Sequence, residues 1–273
     1  MRIDERIEQH YAELSPQEQK AADTLLDRLG DIAVYNAVEL AHLSGVSKAT
    51  MSRLFRRLGF SDFNEVKEHA RLVRSSGMPL GPQLSDSGLA AHLVQEQDNL
   101  RRLGASLDEE RLAATTTALA VAPTVLLLGF RNSFPLALHL RQQLLQCRPS
   151  VNVAPQPGQS LGEELAGLGK DDVVVLFGFR RRPAGFRGIL QAASATGAST
   201  VLIGDSSARR LASDASIWIE CPIDGAYAFD SYGAAMSLIG VLANGVLNSL
   251  GRAGRDRVRD VSGMFDSLGE IEG

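Results

Sequence analysis

The pattern of apolar and polar positions differs between the first part of the chain and the rest. Over roughly the first 75 residues, apolar positions recur at helical spacing between helix-start and turn signals. After residue 120, short continuous apolar runs alternate with amphipathic segments. Such runs are typical of parallel strands that helices cover on both faces. The pattern therefore predicts an all-α N-terminal domain joined to an α/β domain.

Helix-start signals divide the N-terminal domain into short helices. Ser15 and Glu18 form one capping-box pattern, and Asn36 and Glu39 form another. Ser61 is a candidate cap for a further helix. These signals predict a compact helical bundle.

The segment AVELAHLSGVSKATMSRLFRRLGF, residues 37–60, predicts two short helices joined by a turn at Gly45. Ser47 is a candidate N-cap of the second helix. The apolar positions of this helix follow the spacing of one buried face: Met51, Leu54, Phe55 and Leu58. Its other face is predicted to carry polar and basic side chains: Lys48, Thr50, Ser52, Arg53, Arg56 and Arg57.

A helix that is apolar on one side and basic on the other is suited to a DNA major groove. Thr50, Ser52 and Arg53 are the candidates for reading base edges. Lys48, Arg56 and Arg57 are the candidates for contacting phosphates or a groove edge. Because a single helix-turn-helix covers little DNA, a homodimer or homotetramer on a palindromic operator is expected. The alternative is an ordinary helical hairpin with a solvated basic face.

The stretch SSGMPLGPQLSDSG, residues 75–88, has the composition of a linker. We therefore predict a helix-turn-helix domain at residues 1–76, a linker at 77–88 and a second domain at 89–273. Five apolar runs in the second domain predict strands: 124–128, 150–153, 172–177, 200–203 and 216–219. A long closing helix is predicted over 229–250. Its segment 234–250 either forms an interface or is buried within its own domain.

Composition narrows the class of protein. The chain has 273 residues, of which 44% are hydrophobic and 22% charged, as in soluble globular proteins. No apolar run reaches the roughly 18 residues of a membrane span, so no membrane association is expected.

Cys147 and Cys221 stand far apart, and we expect two buried thiols in a cytoplasmic protein. No metal or cofactor is expected. The net charge of −4 does not exclude DNA binding, which requires only a local basic patch.

The helix-turn-helix segment has a specific family resemblance. The stretch Val46-Ser47-Lys48-Ala49-Thr50, then Arg53-Leu54 and Leu58-Gly59-Phe60, continuing through 61–67, resembles the N-terminal domain of RpiR/MurR transcription regulators. The α/β pattern is similar to the sugar isomerase (SIS) domain of that family in strand order and loops. The resemblance implies a flavodoxin-like, three-layer αβα domain that senses a small anionic metabolite. It also implies a regulator, which we expect to repress a catabolic operon.

Ligands of open parallel sheets bind beyond the carboxyl ends of the strands. The loop from Gly129 to Ser133 resembles a SIS phosphate loop, with Arg131 in place of a usual glycine. The resemblance makes Arg131, Asn132 and Ser133 ligand candidates. Ser160 is either a further ligand contact or a plain N-cap. Ser231 resembles a position at which family members place a ligand serine.

The loop after the third strand departs from the family. Family members usually have a Ser-x-Ser-Gly-x-Thr pattern there, and this chain has Arg180, Arg181 and Arg182. Arginine binds carboxylate or phosphate through two parallel N–H bonds, which predicts an anion such as a phosphosugar or a carboxylate. The alternative is a solvated basic loop or an intersubunit salt-bridge patch.

Glu163 and Glu164 are the candidates for carboxylates of an isomerase or etherase. A glutamate pair early in a helix also simply favours the helix dipole. Because the phosphate loop of the family is lost, we expect no enzymatic activity. Two alternatives remain: a phosphosugar isomerase or lyase with a DNA-binding appendage, and a regulator whose SIS domain only dimerises.

Overall fold

A computed structural model of the protein describes residues 3–27, 32, 35–75, 88–226 and 229–271. The chain divides into two compact units after Gln95, and residues 224–230 group with the first unit. One unit is helical and the other is α/β. Residues 76–87 are not among the described residues, so most of the predicted linker lies outside them.

The helical unit is built from short helices whose apolar faces share one core. Ile7, Leu25, Leu40 and Leu54 are fully buried in it. The elements are α1 (Ile3–His10), a 3-10 turn (Tyr11–Glu13), α2 (Pro16–Asp27), α3 (Ala37–Leu43), α4 (Lys48–Arg57) and α5 (Phe63–Ser75). Helix α6 (Gly88–Ser106) follows and continues past the division between the units.

Both predicted capping boxes are confirmed. The backbone N–H and the hydroxyl of Ser15 donate to Glu18 Oε2 at 3.0 and 2.7 Å. Asn36 Oδ1 accepts from the N–H groups of Val38 and Glu39, and Asn36 N–H donates to Glu39 Oε2 at 2.8 Å. These bonds satisfy backbone donors that a helix start leaves unpaired.

The predicted cap at Ser61 is wrong by one position. Glu65 N–H donates to Asp62 Oδ1 at 3.0 Å, so Asp62 caps α5. Ser61 instead donates its backbone N–H and hydroxyl to the Glu65 carboxylate. An aspartate carboxylate is as good an N-cap as a serine hydroxyl, and here it is one residue nearer to the helix.

The second unit is a five-stranded, all-parallel sheet in the order β2-β1-β3-β4-β5. All five predicted strands are present. The elements are α7 (Glu109–Val121), β1 (Val125–Gly129), α8 (Ser133–Cys147), β2 (Val151–Ala154), α9 (Leu161–Ala166), β3 (Val173–Phe177), α10 (Phe186–Ala195), β4 (Ser199–Gly204), a 3-10 helix (Ser206–Asp214), β5 (Ile217–Glu220) and α11 (Gly233–Leu268).

Alternate side chains of each central strand enter different cores. Val125 and Leu127 of β1 pack with residues of α7, α8 and α11. Leu126 and Leu128 pack on the opposite face, with residues of α9, α10 and the 3-10 helix. Because both faces are covered, the strands read as continuous apolar runs. This arrangement is the predicted three-layer αβα sandwich.

The predicted closing helix starts later than expected, and a second helical segment follows it. The sequence predicts a helix over residues 229–250, whereas α11 begins at Gly233 and reaches Leu268 across a kink at Gly251. Gly251 has a φ of 56° and non-helical backbone angles, so the first segment stops where the sequence predicts. Gly269, with φ of 64°, ends the second segment as a left-handed cap.

Within the described residues, α11 alone is long and apolar enough to cross a membrane by length and composition. Such a criterion also selects core helices of soluble proteins. Ala234, Leu238, Leu242 and Val246 are buried in the core of the α/β unit. One face of segment 234–250, a candidate interface in the sequence analysis, therefore packs inside its own domain.

Candidate functional site

The turn between α3 and α4 has the predicted helix-turn-helix geometry. Gly45 has a φ of +62°, which favours glycine, and its N–H donates to His42 O at 3.0 Å. Ser47 Oγ accepts from Thr50 N–H at 3.1 Å, so the predicted N-cap of α4 is confirmed. The turn and the cap together set the direction in which α4 leaves α3.

The apolar face of α4 is buried as predicted. Met51, Leu54 and Phe55 are almost fully inaccessible to solvent. The far end of the helix is held by Arg6, whose guanidinium donates to Leu58 O at 2.8 Å and lies 4.5 Å from the Phe60 ring centroid. These contacts leave the opposite face of α4 exposed to solvent.

That exposed face forms a concave, basic surface. Its lining residues are Lys48, Ala49, Ser52, Arg53 and Arg56. The sequence contains no acidic residue between positions 47 and 58. We call these five residues the α4 surface. It combines positive charge for phosphates with side chains that can donate to base edges.

Thr50 does not belong to the α4 surface, so this part of the predicted face is wrong. It is 6% exposed, and its Oγ1 lies 2.9 Å from Ser47 Oγ. Arg53 Nη2 donates to Thr50 Oγ1 at 3.3 Å. Thr50 therefore stabilises the start of α4 and orients the Arg53 guanidinium through a hydrogen bond.

Arg57 is directed towards its own domain rather than towards the α4 surface. Its Nη1 donates to Glu13 O at 2.6 Å, and its Nε lies 3.7 Å from Glu18 Oε1. Hydrogen bonds from Ser15 lower the pKa of Glu18, and the charge of Arg57 adds to this shift. Arg57 thus ties α4 to α2 and the preceding turn.

In the α/β unit, the strand order reverses between β1 and β3. Ligands of doubly wound sheets bind at such a switch point, beyond the carboxyl ends of the strands. The loop after β1 and the loop after β3 meet here, because Gly129 pairs with Phe177 in the sheet. Phe130 and Phe186 also pack edge to face, with their ring centroids 6.2 Å apart. The structure thus brings together the two loops that the sequence marked as ligand candidates.

The loop after β1 is tightly closed. A Cβ on Gly129 would lie 2.4 Å from Ser133 O, so only glycine fits there. Arg131 keeps a left-handed φ of 53°, a conformation that a glycine adopts without strain. Asn132 is the exposed N-cap of α8 and makes no side-chain capping bond, and Ser133 is buried in the first turn. The first two N–H groups of α8 donate within the loop, from Ser133 to Phe130 O and from Phe134 to Arg131 O, both at 3.0 Å. The Arg131 side chain and the dipole of α8 therefore favour an anion at this edge, without free amides to bind it.

The loop after β3 is folded onto Asp205, which follows β4. Arg180 is 8% exposed, and its Nε lies 3.2 Å from Asp205 Oδ2. Arg182 Nη1 lies 3.6 Å from Asp205 Oδ1 and donates to Gly178 O at 2.7 Å. Burial lowers the pKa of Arg182, and Asp205 opposes the shift. We call Arg180, Arg182, Asp205 and Ser207 the Asp205 clamp.

The Asp205 clamp shows that Arg180 and Arg182 do not form a solvated loop, because both charges face a carboxylate of their own domain. Ser207 Oγ and O accept from Arg182 at 3.0 Å, and the Ser207 hydroxyl donates to Asp205 at 2.7 Å. The donors of Arg182 are therefore used within the domain, as is the charge of Arg180. Arg181, which is half-buried and has a φ of 72°, remains as the ligand candidate of this loop.

The other candidates lie in less defined positions. Ser160 is the exposed N-cap of α9 and makes no side-chain capping bond. Its loop follows β2, the neighbour of β1. Ser231 is half-buried, and its N–H donates to Ile223 O at 3.1 Å before α11 begins. Glu163 and Glu164 lie in the first turn of α9, where their charge favours the helix dipole.

Sequence reasoning missed Asp205 and Ser207. A signal was available, because Gly204-Asp205-Ser206-Ser207 directly follows the predicted strand 200–203. In a parallel sheet the carboxyl ends of neighbouring strands meet at the same edge. The loops after β3 and β4 share that edge, and an acidic side chain there is a natural ion-pair partner for the arginines.

Family models match both units. Residues 1–72 match the helix-turn-helix domain of the rpiR family, and residues 118–245 match the SIS domain. No curated protein sequence matches the chain.

Two solved structures share the fold at low sequence identity. The sugar isomerase domain of an RpiR transcription factor from Sphaerobacter thermophilus is 19% identical, with a TM-score of 0.60, over 65% of this chain and 99% of that one. The Vibrio vulnificus NanR protein, complexed with ManNAc-6P, is 17% identical, with a TM-score of 0.60, over 97% of this chain and 99% of that one. At these identities the likeness establishes the architecture alone.

Proposed function

Because the chain belongs to the RpiR family of helix-turn-helix proteins and carries a SIS domain, we propose that it is a cytoplasmic transcription regulator that represses its target genes. The α4 surface carries this proposal, since it is an exposed, acid-free basic face on the second helix of a helix-turn-helix. A homodimer binds a palindromic operator with one α4 per half-site. A small anion bound by the SIS domain changes operator affinity.

The residues of the α4 surface divide into two roles. Ser52 and Arg53 read base edges, because they lie on the exposed side of α4 and Thr50 orients the Arg53 guanidinium. Lys48 and Arg56 contact phosphates, which positions the helix without selecting a sequence. Arg57 supports this surface from within the domain through Glu13 and Glu18.

The deciding experiment is Arg53→Ala, measured on a duplex that the wild-type protein selects from a random library. A good bidentate base contact contributes about 1–3 kcal/mol of discrimination, so binding to this duplex is expected to weaken by about that amount. A second selection with the variant is expected to show relaxed preference at one base pair of each half-site. Lys48→Ala is expected to weaken binding to all sequences alike and to reduce its salt dependence.

Two control variants separate DNA contact from folding and from net charge. Lys170→Ala removes the same charge from an exposed position of the α/β unit and is expected to leave operator binding unchanged. Arg57→Ala is expected to lower the stability of the helical unit by about 1 kcal/mol, because it loses a hydrogen bond to Glu13 O. If Arg53→Ala keeps both the affinity and the sequence preference of the wild type, the base-reading role is wrong.

For the effector, we infer a phosphosugar-like or carboxylate anion at the switch point between β1 and β3. NanR, complexed with ManNAc-6P, supports a phosphosugar by analogy of fold. Arg131 and Arg181 supply the charge, while the Asn132 amide, which makes no capping bond, and the Ser133 hydroxyl offer hydrogen bonds at the start of α8. Arg180 and Arg182 act indirectly, because Asp205 holds them within the domain.

Thermal-shift screening with phosphosugars and with carboxylates tests this inference. A binding anion is expected to raise the melting temperature, with a shift that grows with the logarithm of the ligand concentration above its Kd. The pair Arg131→Ala and Arg181→Ala is expected to abolish the shift, whereas Lys170→Ala retains it. No shift with either ligand class would favour a SIS domain that only dimerises. Turnover of a sugar phosphate that is lost in Glu163→Gln or Glu164→Gln would identify an enzyme.

A further inference from the structure

Two arginines at the carboxyl edge of the sheet have unused guanidinium groups. Arg131, in the loop after β1, is exposed, and Arg181, in the loop after β3, is half-buried. Neither side chain makes a hydrogen bond or an ion pair with any residue that the structure describes. Arg180 and Arg182, on either side of Arg181, instead face Asp205. Two of the four arginines in these loops are therefore available to a ligand.

Both available arginines have a backbone conformation that is costly for a residue with a Cβ. Arg131 has a φ of 53° and Arg181 a φ of 72°, in the left-handed region that favours glycine. The third described non-glycine residue of this kind is Ser150, which precedes β2 and so lies at the opposite edge of the sheet. Strained residues cluster at ligand sites, where the surrounding structure holds them in place. The Asp205 clamp holds Arg181 in this way, because it fixes both of its neighbours.

The Arg181 guanidinium is enclosed at one end and open at the other. Its Nε is inaccessible to solvent and has no hydrogen-bond partner among the described residues. Its two Nη groups also make no hydrogen bond with the described part of the chain, but they are open to solvent. The two Nη groups of a planar guanidinium are spaced to donate side by side to both oxygens of a carboxylate. Arg181 therefore offers a ligand a bidentate contact.

A phosphate group finds few further donors at this edge of the sheet. The first two N–H groups of α8 donate to Phe130 O and Arg131 O, within the loop after β1. The loop after β3, residues 178–183, contains no serine or threonine. The three terminal oxygens of a phosphate monoester accept from several directions, whereas the two oxygens of a carboxylate lie in the plane of one guanidinium. The unused donors therefore fit carboxylates better than a phosphate.

The two available arginines follow the ends of neighbouring strands. Gly129 of β1 pairs with Phe177 of β3, and paired strands lie about 5 Å apart. Arg131 comes two positions after Gly129, and Arg181 comes four positions after Phe177. Two guanidinium groups on adjacent loops match a ligand that carries two carboxylates on a short carbon chain.

We propose that the α/β domain binds a small dicarboxylate, with one carboxylate on Arg131 and the other on Arg181. The contact with Arg181 is bidentate, through its two Nη groups. This proposal names the ligand class of the effector site proposed above and rests on that site. It excludes a phosphosugar as the effector, although a phosphate monoester carries a charge similar to that of a dicarboxylate.

Isothermal titration calorimetry on the full chain without DNA tests the ligand class. The probes are succinate, glutarate and adipate, the monocarboxylates butyrate, valerate and hexanoate of the same chain lengths, and glucose 6-phosphate. At least one dicarboxylate is expected to bind about tenfold or more tightly than its monocarboxylate and than glucose 6-phosphate, because two charged contacts replace one. Equal binding of each dicarboxylate and its monocarboxylate would overturn the proposal.

Two other outcomes separate this proposal from the function proposed above. Tighter binding of glucose 6-phosphate, lost when Arg131 and Arg181 are both alanine, would overturn the dicarboxylate and retain the effector site. Binding of none of the probes would also overturn the dicarboxylate. Operator binding through the α4 surface is measured separately, and it decides whether the protein is a regulator in either case.

Arg131→Gly and Arg181→Gly test the two contacts without straining the fold. Because glycine adopts a left-handed φ readily, each variant is expected to melt within a few degrees of wild type. Each is expected to weaken dicarboxylate binding about tenfold or more, to the level of the monocarboxylate. Ser150→Gly is the matched control, since it makes the same backbone change at the opposite edge of the sheet, and it is expected to keep wild-type affinity. Unchanged dicarboxylate binding in either arginine variant would contradict the proposal.

Arg181→Lys distinguishes a bidentate contact from charge alone. Lysine keeps the positive charge but presents a single ammonium group in place of the planar fork. Dicarboxylate affinity is therefore expected to fall about tenfold in this variant. Wild-type affinity in Arg181→Lys would show that Arg181 acts as a point charge, and the bidentate carboxylate contact would then be wrong.

Discussion

At the scale of residues, arginines in this chain have very different environments. Arg53 is exposed on the α4 surface, whereas Arg180 is buried beside Asp205. Arg148 is also buried, and its guanidinium donates to Leu119 O and Ala122 O near the end of α7. Burial lowers the pKa of Arg148. The residue type alone therefore does not distinguish a DNA contact, an ion pair and a helix-end cap.

The two thiols show the same dependence on surroundings. Cys147 and Cys221 are free and buried, as their spacing predicted. Burial raises the pKa of Cys221 to about 12, and the charge of Asp205 adds to the shift. Burial also raises the pKa of Cys147. Because the thiolate is the reactive form, neither thiol is expected to react with a maleimide at pH 8 until the protein unfolds.

The raised pKa of Cys221 also predicts a dependence of stability on pH. An unfolded thiol ionises near its ordinary value of 9.0, whereas the folded thiol stays protonated to about pH 12. Its contribution to folding is therefore complete below pH 9 and is lost as the pH rises towards 12. Between pH 8 and pH 11, wild type is expected to lose about 2–3 kcal/mol more unfolding free energy than Cys221→Ala. Equal losses in denaturant titrations would contradict the burial of this thiol.

At the scale of elements, the Asp205 clamp joins two loops that follow neighbouring strands. Its carboxylate faces both Arg180 and Arg182, and all three side chains are largely buried. Removing one partner of a buried ion pair leaves an uncompensated charge, which commonly costs about 3–5 kcal/mol. The clamp therefore fixes the loop after β3, and Arg181 with it.

Asp205→Asn is expected to destabilise the α/β unit by about 3–5 kcal/mol, as measured by denaturant unfolding. Asp214→Asn is the matched control. It removes the same charge from an ion pair with Arg187, whose side chain is mostly exposed, so its cost is expected to stay below about 1 kcal/mol. A loss of similar size in both variants would show that the clamp contributes no more than a surface pair.

Helix α11 shows what a local pattern reports about helix ends and what it does not. The predicted helix ends at residue 250, and the regular helix is interrupted at Gly251, the next residue. The helix resumes after Gly251 because Val258 packs on the core and Arg257 Nε donates to Leu145 O at 3.1 Å. These contacts with α8 are distant in sequence, and no local pattern reports them.

At the scale of the whole molecule, DNA binding and self-association are expected to be coupled. A dimer that places two α4 helices on two half-sites gains affinity by effective concentration, without any new contact. The wild type is therefore expected to bind a palindrome at least tenfold more tightly than a duplex with one half-site.

Fluorescence anisotropy on duplexes with one or two half-sites measures this difference, and a duplex with both half-sites scrambled provides the control. If the wild type binds the one-site and two-site duplexes equally tightly, operator recognition does not require the proposed dimer.

The sequence by itself determined which elements form and in what order. Capping residues, the turn at Gly45, the apolar face of α4 and the five strand runs depend on neighbours within about seven positions, so spacing reports them. The same patterns indicated a helix-turn-helix followed by a parallel α/β domain. Short unbroken apolar runs were enough to indicate parallel strands, since a buried parallel strand has no polar side.

Only the tertiary structure decided which polar side chains are available to a partner. Thr50 is held by Ser47 and Arg57 by Glu13 and Glu18. Asp205 holds Arg180 and Arg182 but not Arg181. Most of these partners come from other elements, and their positions follow from how helices and strands pack. The free energy of a buried charge depends on what surrounds it in space, which a one-dimensional pattern does not record.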